Sequence, residues 1–267
     1  WLNDAEFYGT PGYDDDGNGY VDDIQGWDFY YVGGDPMDGH GHGSHVAGII
    51  AAEGDNGEGI VGVAYDSKVM AVKVLTDSGG SSSSSIAAGI RYAVDMGIKI
   101  LNCSFGGGYP SSVIDAFQYA YEQGCIVIAS AGNDSDVINE YPAKLDYVVT
   151  VGSSDVNDVV SWFSDYGSPL DVVAPGEDIL SLRADDTDIF EGTSGYTPGA
   201  YFIPQYDDAA KYYRAWGTSM SAPYVSGVAA LMLSQSPALT YEDFVRRLKF
   251  SSVDLGAAGW DDYYGWG

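Results

Sequence analysis

The residues best suited to covalent chemistry lie in Gly217-Thr218-Ser219-Met220-Ser221-Ala222-Pro223. A small, flexible Gly-Thr lead-in delivers Ser219 to the start of an apolar stretch, 220–233, whose spacing predicts a long helix. The first turn of a helix offers free N–H groups and the positive end of the helix dipole, so negative charge developing beside such a serine is stabilised. The same position also suits a serine that merely caps the helix. Gly192-Thr193-Ser194 repeats the tripeptide but leads into Gly195-Tyr196-Thr197-Pro198, a loop pattern. What would make Ser219 a nucleophile is a base elsewhere in the chain.

Such a base stands in Gly41-His42-Gly43-Ser44-His45-Val46-Ala47-Gly48, which runs into Ile49-Ile50-Ala51-Ala52. This pattern puts His42 at the mouth of a small-residue helix, and histidine is the side chain suited to proton transfer near neutral pH. His45, one turn further on, reads as a packed, hydrogen-bonded helix residue. Two histidines three apart, with no glutamate between them, do not match the His-Glu-x-x-His spacing of zinc proteases. A third element is the apolar run 125–131, which ends in Gly132-Asn133. An amide at the end of a core strand can donate a hydrogen bond to an oxyanion.

In this order, the motifs around His42, Asn133 and Ser219 resemble those of the subtilisin family of serine proteases, from about Gly41 to Gly267. The resemblance implies a serine endopeptidase that works through an acyl-enzyme at Ser219, with His42 as general base and Asn133 as oxyanion donor. It implies a cleft bordered by 75–81 and by Ser104, Phe105, Gly106, Ala131, Gly132, Asp134 and Glu140, which takes an extended peptide as an added strand. Glu140 would lie at the floor of the pocket for the residue before the scissile bond and Asp134 at its rim. Two carboxylates there favour Lys or Arg; a Glu140 turned to solvent leaves the pocket broad and apolar. Polypeptide substrates, a propeptide outside this chain, and an extracellular or cell-envelope location are further implications of the resemblance.

One member of the implied constellation is missing. The family's aspartate lies on an apolar strand ahead of the histidine motif, and no such strand is legible before Gly41. Asp28, Asp35 and Asp38 occupy other contexts. The expectation is that the aspartate lies upstream of Trp1 and that the chain is cut at both ends. A central strand would then be absent and His42 would face a gap. A non-catalytic domain that binds peptides or partners is the competing reading.

The charge narrows the partners. Net charge is −28, and 31 of the 39 acidic residues are aspartates. Nucleic acid and anionic membranes are repelled by such a chain. A salt-rich setting would screen the self-repulsion, and calcium would use part of the aspartate as hard oxygen ligands. Asp14, Asp16, Asn18 and Asp22, with Tyr20 between them, follow the spacing of a calcium loop over 14–25. Position 12 of the pattern is Gln25, and no helix is legible on either side, so a calcium-binding surface loop is expected rather than an EF-hand. Asn56, in Gly54-Asp55-Asn56-Gly57-Glu58-Gly59, aligns with a second calcium loop of the family.

The positioning elements follow from periodicity. Apolar runs of strand length occupy 69–75, 98–104, 125–131, 148–152 and 171–174, and helical spacing occupies 86–96 and 113–123. Strands apolar throughout and joined by crossover helices predict an α/β fold: a parallel sheet with helices on both faces, in the three layers of the subtilisin-like sandwich. One catalytic domain over 1–267 is expected, with 81–85 a loop. The acidic, Tyr-rich and Gly-rich stretch 183–213 reads as a surface insertion, hairpin-like near 211–216. No apolar run is long enough to cross a membrane. Cys103 and Cys125 fall in or beside core strands, either bonded to each other or free and buried.

Overall fold

The structure is a computed structural model and describes residues 1–203 and 211–267. It runs through a one-turn helix α1 (Asp4–Phe7), strand β1 (Gly26–Asp28), helix α2 (His42–Ala51), strand β2 (Ala71–Lys73) and helix α3 (Ser83–Asp95). Next come β3 (Ile100–Cys103), α4 (Ser111–Glu122), β4 (Ile126–Ser130), β5 (Val149–Ser154), β6 (Val172–Pro175) and β7 (Ile179–Leu182). The last elements are β8 (Tyr212–Ala215), α5 (Thr218–Gln235) and α6 (Tyr241–Ser251).

Strands β3, β4, β5 and β6 pair in that order as a parallel sheet. Every residue of β4 is buried, because alternate side chains serve two apolar layers. Val127 and Ala129 pack with Ile86, Val113 and Phe117 of α3 and α4 on one face. Ile126 and Ile128 pack with Ala222 and Val225 of α5 and with Phe244 and Leu248 of α6 on the other. A strand apolar at every position cannot leave either face in water, so helices cover both. The α/β architecture with helices on both faces is the one the apolar runs predict.

The parallel sheet is in two pieces. β1 and β2 form a separate parallel pair, and among the described residues the second edge of β2 and the second edge of β3 have no strand partner. β2 is accordingly poorly covered: Ala71 is exposed, and Val72 and Lys73 are half-buried. An interior strand of a parallel α/β sheet is normally closed on both faces. Val74, just past β2, nevertheless shares one apolar cluster with Leu101 and Cys103 of β3.

Several local expectations need correction. Residues 83–85 belong to α3 rather than to a loop, because Ser82 caps the helix and its Oγ accepts the Ser85 N–H at 3.1 Å. The strand near 211–216 is β8, and its antiparallel partner is β7, so the hairpin reaches back to Ile179 across the whole insertion. Within that insertion, 204–210 lie outside the described residues. Cys103 and Cys125 are both free and buried. Burial pushes the Cys103 thiol up to about 12, and the Cys125 thiol donates to the Ile98 carbonyl at 3.1 Å.

Candidate active site

Ser219 is the second residue of α5, and its environment follows from the sequence around it. Pro223 has no N–H, so the Ser219 carbonyl four residues back loses its helical partner. The Ser104 hydroxyl fills that vacancy, donating to the Ser219 carbonyl at 2.8 Å. In return, the Ser219 hydroxyl donates to the Ser104 carbonyl at 3.3 Å. Ser104 is thus not part of the cleft surface; it is buried and ties the serine turn to the end of β3.

Asn133 follows β4 by three residues and is tied to the same turn. Its Oδ1 accepts the Thr218 backbone N–H at 2.8 Å and the Thr218 hydroxyl at 3.0 Å. With Oδ1 engaged, Nδ2 is the amide's remaining donor. Gly132 can precede it because φ is +121°, and a β-carbon there would come within 2.0 Å of Asp165 Oδ2. The Asp165 carboxylate also accepts the N–H groups of Asp134 and Asp136, at 2.8 and 3.1 Å, and so shapes the loop after Asn133. Nothing in the sequence around Asp165 signals that role.

Beside Ser219 lies a cleft of about 230 Å³. Phe105, Gly106, Ala131, Gly132, Asn133, Asp134 and Glu140 line it, as do Ser130, Tyr141 and Ala143, which the sequence reading left out. Glu140 lies against Gly106, where a β-carbon would come within 2.9 Å of Glu140 Oε2. Lys144, the nearby cation, lies over the Tyr141 ring at 4.0 Å rather than on Glu140.

His42 opens α2, which packs directly against α5. Gly41 makes this start possible, since φ is +95° and a β-carbon would come within 2.5 Å of Thr187 Oγ1. Desolvation, reinforced by the neighbouring His40, pushes the His42 imidazole down to about 4. Among the described residues no hydrogen bond joins the His42 ring to a carboxylate or to Ser219. The aspartates considered from sequence are engaged elsewhere. Asp38 caps α2 through the N–H groups of His40, Gly41 and Ser44, at 3.0, 2.8 and 2.7 Å. Asp28 accepts from Tyr30 and Tyr31, each at 2.8 Å, and Asp35 accepts from Met37 at 3.2 Å. His45 is fully buried, with Nε2 on the Ile179 carbonyl at 3.1 Å.

In the acidic loop, carboxylate oxygens of Glu6, Asp14 and Asp16 lie within 4.8 Å of one another. Glu6, on α1, is buried and was not foreseen; it accepts the N–H groups of Asp15 and Asp22 at 2.7 and 2.9 Å. Two of the expected ligands point elsewhere. Asp22 turns to the Gly12 N–H at 2.8 Å, and the Asn18 Oδ1 takes the Tyr20 N–H at 2.7 Å. The Tyr20 ring packs against Trp27, Phe29 and Tyr92. Asn56 closes its own turn through the Glu58 N–H at 2.9 Å, outside that carboxylate group.

Comparison with known proteins identifies the family. A family model described as the subtilase family matches residues 3–267. The chain is 38% identical to thermitase of Thermoactinomyces vulgaris over 213 residues, 79% of this chain and 68% of that protein. It is 37% identical to a cell wall-associated protease of Bacillus subtilis (strain 168), over 86% of this chain but only 24% of that much longer relative. The fold superimposes on fervidolysin from Fervidobacterium pennivorans, a keratinolytic enzyme related to subtilisin, with a TM-score of 0.74 and 35% identity. That match covers 86% of this chain and 35% of fervidolysin.

Proposed function

The chain belongs to the subtilase family, and on that premise we propose that it is a serine endopeptidase acting through an acyl-enzyme at Ser219. In this reading the Ser219 hydroxyl swings from the Ser104 carbonyl toward His42, which takes its proton as Oγ attacks the peptide carbonyl. Asn133 Nδ2 and the Ser219 N–H hold the oxyanion, His42 passes the proton to the departing amine, and water then releases the acyl group. The observation that carries the reading is the engagement of Asn133 Oδ1 by Thr218, which among the described residues leaves the amide donor free beside Ser219. Labelling with a fluorophosphonate tests it. The adduct should map to Ser219, disappear in Ser219→Ala, and form about 10²–10³-fold more slowly in Asn133→Ala. An adduct elsewhere, or one indifferent to Asn133, sinks the reading.

The orienting carboxylate is assigned to a strand that fills the space between β2 and β3, a reading supported by their unpaired edges and by the thin cover on β2. A second reading, peptide binding without catalysis, is favoured by one fact: among the described residues no carboxylate hydrogen-bonds the His42 ring, and the nearby Asp38 charge only partly offsets its desolvation. Two finer assignments complete the proposal. Glu140 and Asp134 would favour a basic residue before the scissile bond, since Lys144 does not neutralise Glu140. Glu6, Asp14 and Asp16 would hold a structural calcium ion, whose charge offsets three converging carboxylates. A melting temperature that calcium fails to raise, or raises equally in Glu6→Gln, removes that assignment. An extracellular or cell-envelope location remains part of the proposal, in keeping with the cell wall-associated relative.

A further inference from the structure

Residues 183–203 carry an aromatic cluster that the proposed reaction does not use. Phe190 stacks on Trp216 with centroids 4.6 Å apart and ring planes 16° apart. Tyr201 meets the same indole edge-on at 4.8 Å, and Tyr196 stacks on Tyr201 at 5.4 Å. A single carboxylate organises this group. Asp188 accepts the Tyr196 hydroxyl at 2.9 Å, the Gly199 N–H at 2.9 Å and the Phe190 N–H at 3.2 Å. Trp216 nonetheless keeps 38% of its surface exposed, and in sequence it shortly precedes Ser219.

The other end of the segment reaches the histidine motif. A β-carbon on Gly41 would come within 2.5 Å of Thr187 Oγ1 and 3.6 Å of Ile189 Cγ1. The insertion therefore bridges the residue before His42 and the turn before Ser219. None of its described residues lines the cleft that holds Asn133 and Glu140. Reaction chemistry then assigns the side. The imidazole protonates the departing amine, so the leaving half of a peptide must run past His42 and away from the acyl cleft.

We propose that Trp216, backed by Phe190 and Tyr201, binds a large apolar or aromatic side chain within the first two residues after the scissile bond. This rests on the acyl-enzyme reading of Ser219. An indole already held by two rings loses little freedom on binding, and an aromatic pair adds to the gain from the area it removes from water. Asp188 acts as a positioning residue for the surface.

The test uses the Ser219→Ala protein, which binds peptides without cutting them. Fluorescent peptides share one acyl half and carry Phe or Gly at the two positions after the bond; a third peptide ends at the bond. Phe should bind about tenfold tighter than Gly. Adding Trp216→Ala should bring that ratio close to one and Trp216→Phe should keep most of it, while the truncated peptide binds all three proteins alike. Equal affinity for the Phe and Gly peptides overturns the proposal. So does a Trp216→Ala change that weakens the truncated peptide as much as the Phe peptide, because the effect is then structural. If the truncated peptide does not bind the Ser219→Ala protein at all, the acyl-cleft reading fails and takes this proposal with it.

Discussion

The two halves of the candidate site are built to different degrees. The serine half rests on the four-stranded sheet: Ser104 from the end of β3, Asn133 beyond β4 and the first turn of α5 are joined by hydrogen bonds of 2.8–3.3 Å. The histidine half rests on α2, which packs on α5 and β7 with Thr187 and Ile189 of the insertion against Gly41, and no carboxylate hydrogen-bonds its imidazole among the described residues. β4 is buried at every residue, whereas β2 is half open. Oxyanion stabilisation and base catalysis are therefore separable properties here. On the proposed reading, the first is assembled within these residues, and the second depends on a strand that carries the orienting aspartate.

The largest effect should come from closing that difference. Filling the edge between β2 and β3 with a strand that carries the orienting aspartate should raise the rate of Ser219 acylation by about 10⁴-fold over residues 1–267 alone. Equal rates in the two proteins would mean that His42 needs no such strand. Acid should next separate the halves. Burial holds the His45 imidazole at about 4 instead of the ordinary 6.5. The unfolded chain therefore takes up that proton first, and stability falls as pH drops from 6.5 toward about 4. The full loss is at most on the order of 3 kcal/mol. Hydrogen exchange should show α2 and the β7–β8 ribbon loosening in that window ahead of β4; simultaneous loosening would erase the distinction. The smallest effect belongs to the cleft. Glu140→Gln should lower the preference for Lys over Phe before the scissile bond by roughly fivefold, as suits an exposed charge. An unchanged ratio of kcat/KM would show that Glu140 faces solvent.

What the sequence disclosed follows the range of each interaction. The family was legible at Ser219, His42 and Asn133 because each stands in a short motif that also shapes its own backbone. The central strands were legible because burial on both faces makes them apolar at every position. Ser104 was read as cleft surface, since its real task depends on a carbonyl released by Pro223 more than a hundred residues away. Glu6 was missed because α1 brings it to the acidic loop from outside the loop's own spacing. Asp165 and the β7–β8 pairing depend on distant partners that leave no periodic trace. Helix α6 was overlooked although Thr240 caps it through the Asp243 N–H at 3.2 Å, a local signal that was available.

The most direct test of the contrast is the effect of His42→Ala on fluorophosphonate labelling of Ser219 in residues 1–267. A histidine without its carboxylate retains only a residual role, so the variant should slow labelling by about 10²-fold. A loss on the order of 10⁶-fold would contradict the account, because it would mean that His42 is already held in its working orientation without the proposed strand.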